Sequence, residues 1–191
     1  MSSLLERTRS QRGLTLVELL LVVGIMGIVG AMGTAQIATV RRSMQGDGAM
    51  RLVMSQLNIA REMAVTQRRT MEIKFVGTNW LQIVRHEVPA GLTTLSSVAF
   101  EGNVTYKLIP TITQDTPDTF GRTGAPLAFG TATTFTFSTD GTLIDNSGNP
   151  LNGTIFLAVV NVDRSQRAVT IMGGTGRVRG FKWNGFGWTR V

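Results

Sequence analysis

Apolar and polar positions along the 191 residues fall into three regimes. From Leu19 to Val40 no charged residue occurs, a run of 22 positions. As helix it extends about 33 Å, against a hydrocarbon core of about 30 Å, so a membrane span is expected over 14–40. Beyond it Val53, Leu57, Ala60 and Ala64 recur at helical spacing. They predict an amphipathic continuation over 41–69, ending near Gln67, with a kink or break at Gly46-Asp47-Gly48. From Thr70 the period shortens towards two. Met71–Val76 and Trp80–Arg85 flank the turn Gly77-Thr78-Asn79 and predict a hairpin.

Further strands are expected at Val104–Ile109, Thr133–Phe137, Thr154–Val162, Arg167–Met172 and Arg177–Trp183. A surface loop rich in Thr, Gly and Pro covers 110–132. Short strands separated by turns predict an antiparallel β domain over 70–191 with a basic C-terminal tail. The fold class expected is therefore α+β: a long N-terminal helix, its first half transmembrane, packed on an antiparallel sheet.

Charge sharpens this picture. The net +7 is uneven: the segment 164–191 holds Arg164, Arg167, Arg177, Arg179, Lys182 and Arg190 and no acid. Such a stretch suits an anionic partner. Arg7, Arg9 and Arg12 precede the apolar run and place residues 1–13 on the cytoplasmic side, with the remainder exported. Cysteine is absent, which excludes disulfides and thiolate metal sites. His86 is the single histidine and the acids are scattered, so neither a catalytic triad nor a metal-ligand spacing stands out. No enzyme activity, cofactor or metal is expected. Gly173-Gly174-Thr175-Gly176 lacks the strand-to-helix context of a phosphate loop and reads as a turn.

The edge of the apolar run carries a more specific signal. A basic leader is followed by Gly13, then Leu14-Thr15-Leu16-Val17-Glu18, then the uncharged stretch. A carboxylate at the margin of a membrane segment costs about 2.5–3.5 kcal/mol on insertion scales and needs a partner or a task. The pattern resembles the class III signal of type IV pilins and pseudopilins. That resemblance implies cleavage after Gly13 by a prepilin peptidase, N-methylation of the new amine on Leu14, and subunit alignment through Glu18. Physically, Glu18 can neutralise the amine of a neighbouring subunit in a low-dielectric stack of helices. Gly24, Gly27, Gly30 and Gly33 suit close helix packing, though glycine is common in membrane helices in any case.

Asn58–Val65, Phe135, Phe137, Asp140-Gly141 and Gly176-Arg177 are similar to the FimT- and GspH-type minor pilins and pseudopilins. Gly176-Arg177-Val178-Arg179 resembles the DNA-contact motif of FimT-type minor pilins of natural transformation. Carried over, Arg177 and Arg179 are phosphate contacts; Lys182 and Arg190 are added on charge alone. On a strand, Arg177, Arg179 and Phe181 share one face, with the two guanidinium groups about 7 Å apart. Phe181, Trp183, Phe186 and Trp188 can stack on bases, as in single-strand binders. The alternatives are that an arginine here pairs with a carboxylate and that the aromatics edge the core. Two functions follow from the resemblance. One is a minor pilin of a type IV pilus that binds DNA during uptake. The other is a GspH-like pseudopilin of type II secretion. A signal-anchored β protein without an assembly role is a third class. Under the first two, the chain sits in the inner membrane with its β domain periplasmic, then joins a pilus or pseudopilus with other pilins.

Overall fold

The computed structural model describes residues 15–112, 116–121 and 124–191, with backbone only at 32–36, 38 and 39. Leader residues 1–13 and Leu14, hence the expected cleavage junction, lie outside the described residues. The chain divides into two compact units, Met1–Thr39 and Val40–Val191. One helix, α1 (Leu16–Gln67), runs through both. In the first unit the described apolar side chains from Leu16 to Val29 are exposed. No helix among the described residues is long and apolar enough to cross a membrane. The uncharged run 19–40 includes 32–36, 38 and 39, whose side chains lie outside the described residues.

The expected break at Gly46-Asp47-Gly48 is absent: α1 is continuous there. Two glycines weaken an isolated helix by about 1 kcal/mol each, but tertiary contacts hold this turn. A Cβ on Gly46 would overlap the Ser165 carbonyl oxygen, so glycine permits the close approach. Asp47 meanwhile accepts a hydrogen bond from Arg167.

As expected, the second unit is an antiparallel β domain on which α1 packs, and its strands form two sheets. The strands of the first are β1 (Met71–Val76), β2 (Trp80–His86), β3 (Leu92–Ala99), β6 (Phe135–Phe137) and β7 (Leu143–Ile144), ordered β3-β2-β1-β6-β7. The second contains β4 (Val104–Tyr106), β8 (Gly153–Val159), β9 (Arg167–Met172), β10 (Arg177–Trp183) and β11 (Trp188–Arg190), ordered β11-β10-β9-β8-β4. The short β5 (Leu127–Ala128) pairs with β8.

Ala49, Met50, Val53, Leu57, Ala60 and Ala64 of α1 form one buried cluster with residues of both sheets. Ile73 and Ile83 come from the first sheet, Ile155, Leu157, Val169 and Ile171 from the second. Full burial of one such Leu or Ile contributes about 1.5–3 kcal/mol. β8 is buried at all seven positions, which explains its unbroken apolar reading. Odd residues face α1; Phe156 and Ala158 face outwards into smaller clusters with Phe181, Trp183, Ile109 and Ile112.

That outer cover changes the reading of 104–109. β4 stops at Tyr106, because Leu108 and Ile109 turn onto the outer face. There the Ile109 N–H donates to the Gln166 side-chain oxygen at 2.9 Å.

Candidate functional site

Two regions of the sequence carry candidate function, one in each unit. At the start of α1, Thr15 caps the helix: its Oγ1 accepts from the Glu18 N–H at 3.2 Å. Its carbonyl accepts from the Leu19 N–H at 3.1 Å. Thr15-Leu16-Val17-Glu18 has the spacing of a capping box, a signal the sequence reading passed over. Glu18 is exposed in the first turn, where the helix dipole favours a negative group. The arrangement presents a carboxylate that an external cation can reach.

In the second unit, β10 positions Arg177, Arg179 and Lys182, and β11 positions Arg190. Gly176 begins the turn into β10 with φ +62°. A Cβ there would overlap the Gly141 carbonyl oxygen and press on the Arg61 side chain. Arg61 Nε itself donates to that carbonyl at 3.3 Å. The glycine of Gly176-Arg177-Val178-Arg179 is thus required by its left-handed backbone and the close approach of the Gly141 carbonyl.

β10 alternates as expected. Val178 and Gly180 face the main cluster and α1. Arg177 and Arg179 fall on the outer face with Phe181 and Trp183. Arg190 lies opposite Phe181 across the β10–β11 pair and so shares that face. Lys182 is on the other face, opposite Arg167. The four expected contacts are therefore not one patch: three share a face and Lys182 does not.

Arg177 is exposed, whereas Arg179 lies beneath the segment 116–121. Its Nη1 donates to Asp118 Oδ1 at 3.1 Å, with side-chain exposures of 30% for Arg179 and 17% for Asp118. Asp118 Oδ2 accepts from Thr170 Oγ1 at 2.6 Å. Among the described residues, Arg179 Nε and Thr116 Oγ1 are buried without a hydrogen-bond partner.

The aromatics divide in the same way. Phe181 and Trp183 are buried. Trp188 packs edge-to-face against Trp183 and tilted against Phe156, at ring-centroid separations of 5.3 and 5.7 Å. Only Phe186 of these four stands clear, 96% exposed at the tip of the β10–β11 hairpin. Asn184 Oδ1 fixes the tip by accepting from the N–H groups of Phe186 and Gly187.

Another member of the basic tail, Arg167, is not at the surface at all. It is fully buried. Its guanidinium donates to Asp47 Oδ1, to the carbonyls of Arg164, Gln166 and Ser43, and to Ser43 Oγ, at 2.6–3.0 Å. Burial pushes the Asp47 carboxyl up, but the Arg167 hydrogen bond and charge, aided by Lys182 and Arg51, hold it below the usual carboxylate range. The sequence places Arg167 within the basic segment suited to an anionic partner. Its strand, with Ala168, Val169 and Ile171 buried beside it, gives no cue to the partner 120 residues away.

His86 Nε2 lies 3.0 Å from Glu72 Oε2. Among the described residues no group of three or more His, Cys, Asp or Glu is placed to hold a metal.

Residues 8–34 match the family model of the prokaryotic N-terminal methylation motif. No curated protein matches the chain. Two crystal forms of the type IV minor pilin FimU of Pseudomonas aeruginosa are similar at 18% identity and a TM-score of 0.47. The alignments cover 69% and 70% of this chain and 84% and 90% of those chains.

Proposed function

We propose that the chain is a minor subunit of a type IV pilus-type filament. The observation that carries this reading is the N-terminal methylation motif over residues 8–34, which contains Gly13, Leu14 and Glu18. In this reading the segment 14–40 anchors the chain in the inner membrane, with the β domain in the periplasm. A prepilin peptidase cuts after Gly13 and the Leu14 amine is N-methylated. Glu18, exposed on the first helical turn, receives the positive N-terminus of a neighbouring pilin. The chain acts as a substrate of the peptidase and as a building block, not as a catalyst.

The experiment is the intact mass of the full chain expressed with a prepilin peptidase, beside Gly13→Val. The wild-type chain loses its leader and gains one methyl group. Gly13→Val, with a branched side chain at the cut, keeps the leader. A wild-type chain of unprocessed mass sinks the proposal.

DNA uptake is the finer function that the β10 face supports. Arg177, Arg179 and Arg190 share one face of a strand pair, and Phe186 projects from the adjoining hairpin. Guanidinium groups position a phosphate backbone, and an exposed ring stacks on a base. A type II secretion pseudopilin is the second reading. The ion pair between Arg179 and Asp118 favours it, since an arginine committed to a carboxylate serves the fold.

A further inference from the structure

We propose that Asp118 holds the place of a nucleic-acid phosphate on Arg179. DNA binding at the outer face of β10 is then a competition with the chain's own carboxylate. The proposal rests on the reading that this face contacts DNA and adds how that contact is controlled.

The geometry is that of an incomplete fork. A guanidinium offers five donors and prefers to meet an oxyanion through two parallel hydrogen bonds. Asp118 takes one, Nη1 to Oδ1 at 3.1 Å. Its other oxygen is turned to Thr170 Oγ1 at 2.6 Å. Among the described residues Arg179 Nε finds no acceptor, and Thr116 Oγ1 in the same segment as Asp118 is likewise unmet.

A phosphodiester bears the same single negative charge as the carboxylate. Its two free oxygens can engage Nη1 and Nη2 together in the end-on fork, two parallel bonds where Asp118 makes one. Arg179 is 30% exposed and Asp118 17%, so the pair lies at the surface rather than in the core. Arg177, exposed and two residues along the same face, supplies the adjoining contact. With Asp118 in place the face offers the guanidinium groups of Arg177 and Arg190; with Asp118 displaced it offers three.

The test uses the full chain in neutral detergent and a DNA duplex of about 30 base pairs as probe, with binding read by fluorescence anisotropy across a salt series. Asp118→Asn keeps the shape and removes the charge. Expected are about tenfold tighter binding at low salt, as for one added charge-assisted hydrogen bond, and a log K against log salt slope steeper by about 0.9. Adding Arg179→Gln to Asp118→Asn should erase both gains. Thr170→Val, which removes one hold on the carboxylate but keeps the acid, should shift binding the same way by less. It also covers the case that Asp118→Asn does not fold.

Wild-type binding that neither Asp118→Asn nor Thr170→Val changes would overturn the competition while leaving DNA contact standing. A gain that survives Arg179→Gln would also overturn it, by placing the gained contact elsewhere. Absence of binding by every variant at low salt would overturn both the competition and the DNA reading beneath it.

Discussion

Replacing Arg167 with methionine should lower the unfolding free energy of the unit Val40–Val191 by about 3–5 kcal/mol, the range for removing one partner of a buried ion pair. Arg167 is fully buried, and its donors satisfy Asp47, Ser43 and the carbonyls of Arg164 and Gln166. Methionine fills much of the volume but leaves those acceptors unmet. The double variant Arg167→Met/Asp47→Leu should recover part of the loss, because the uncompensated carboxylate is then gone as well. Urea unfolding monitored by tryptophan fluorescence measures both. A single variant within about 0.5 kcal/mol of wild type, the scale of an ordinary surface substitution, contradicts the assignment.

The sign of the acid dependence follows from the same pair. The folded-state pKa of Asp47 is depressed. Its stabilisation is therefore present above the unfolded value of about 3.9 and is lost as pH falls through the lower folded value. Arg167→Met removes that contribution, so the stability gap between wild type and variant should narrow in strong acid, leaving the part due to the neutral acceptors.

Gly176→Ala should destabilise by about 2–5 kcal/mol, combining about 1–2 for a left-handed non-glycine residue with about 1–3 for overpacking. The position has φ +62°, and the added methyl group meets the Gly141 carbonyl oxygen and the Arg61 side chain. Thermal unfolding of Val40–Val191 reads this directly. Arg177→Ala, at the exposed neighbouring position, should leave the midpoint unchanged. The pair of results separates the two halves of the Gly-Arg motif: the glycine serves the fold, and the exposed arginine is available for a ligand. An unchanged midpoint for Gly176→Ala would show that the turn does not need glycine.

Local patterning made much of the fold legible. Alternation over Met71–Val76, the run Arg167–Met172 between turns, and the 3.6-residue period of Val53, Leu57, Ala60 and Ala64 correspond to β1, β9 and the buried face of α1. The elements missed lacked that contrast. β3, with the sequence Leu-Thr-Thr-Leu-Ser-Ser-Val-Ala, is an edge strand with no fully buried residue, so its polar positions do not alternate against a core. β11 has only three residues. The division into two sheets is set by which strands pair at long range, and no local period encodes it.

The candidate site shows the same divide. Which residues of β10 share a face was readable from the strand period alone. That Asp118 would cover Arg179, and that α1 would draw Arg167 inside, depends on partners 61 and 120 residues distant. The continuity of α1 through Gly46-Asp47-Gly48 was hidden for a related reason: the turn is held by Ser165 and Arg167, not by its own propensity.

The filament assignment is tested most directly by Glu18→Ala in cells that make the corresponding filament. The filaments are sheared from the surface, and the chain is detected in sheared and cell-bound fractions. The account predicts that wild type appears in both fractions in processed form. Glu18→Ala should be processed at Gly13 yet remain cell-bound, since the mature subunit lacks the carboxylate that meets its neighbour's N-terminus. Recovery of Glu18→Ala in the sheared fraction at the wild-type level would contradict the account.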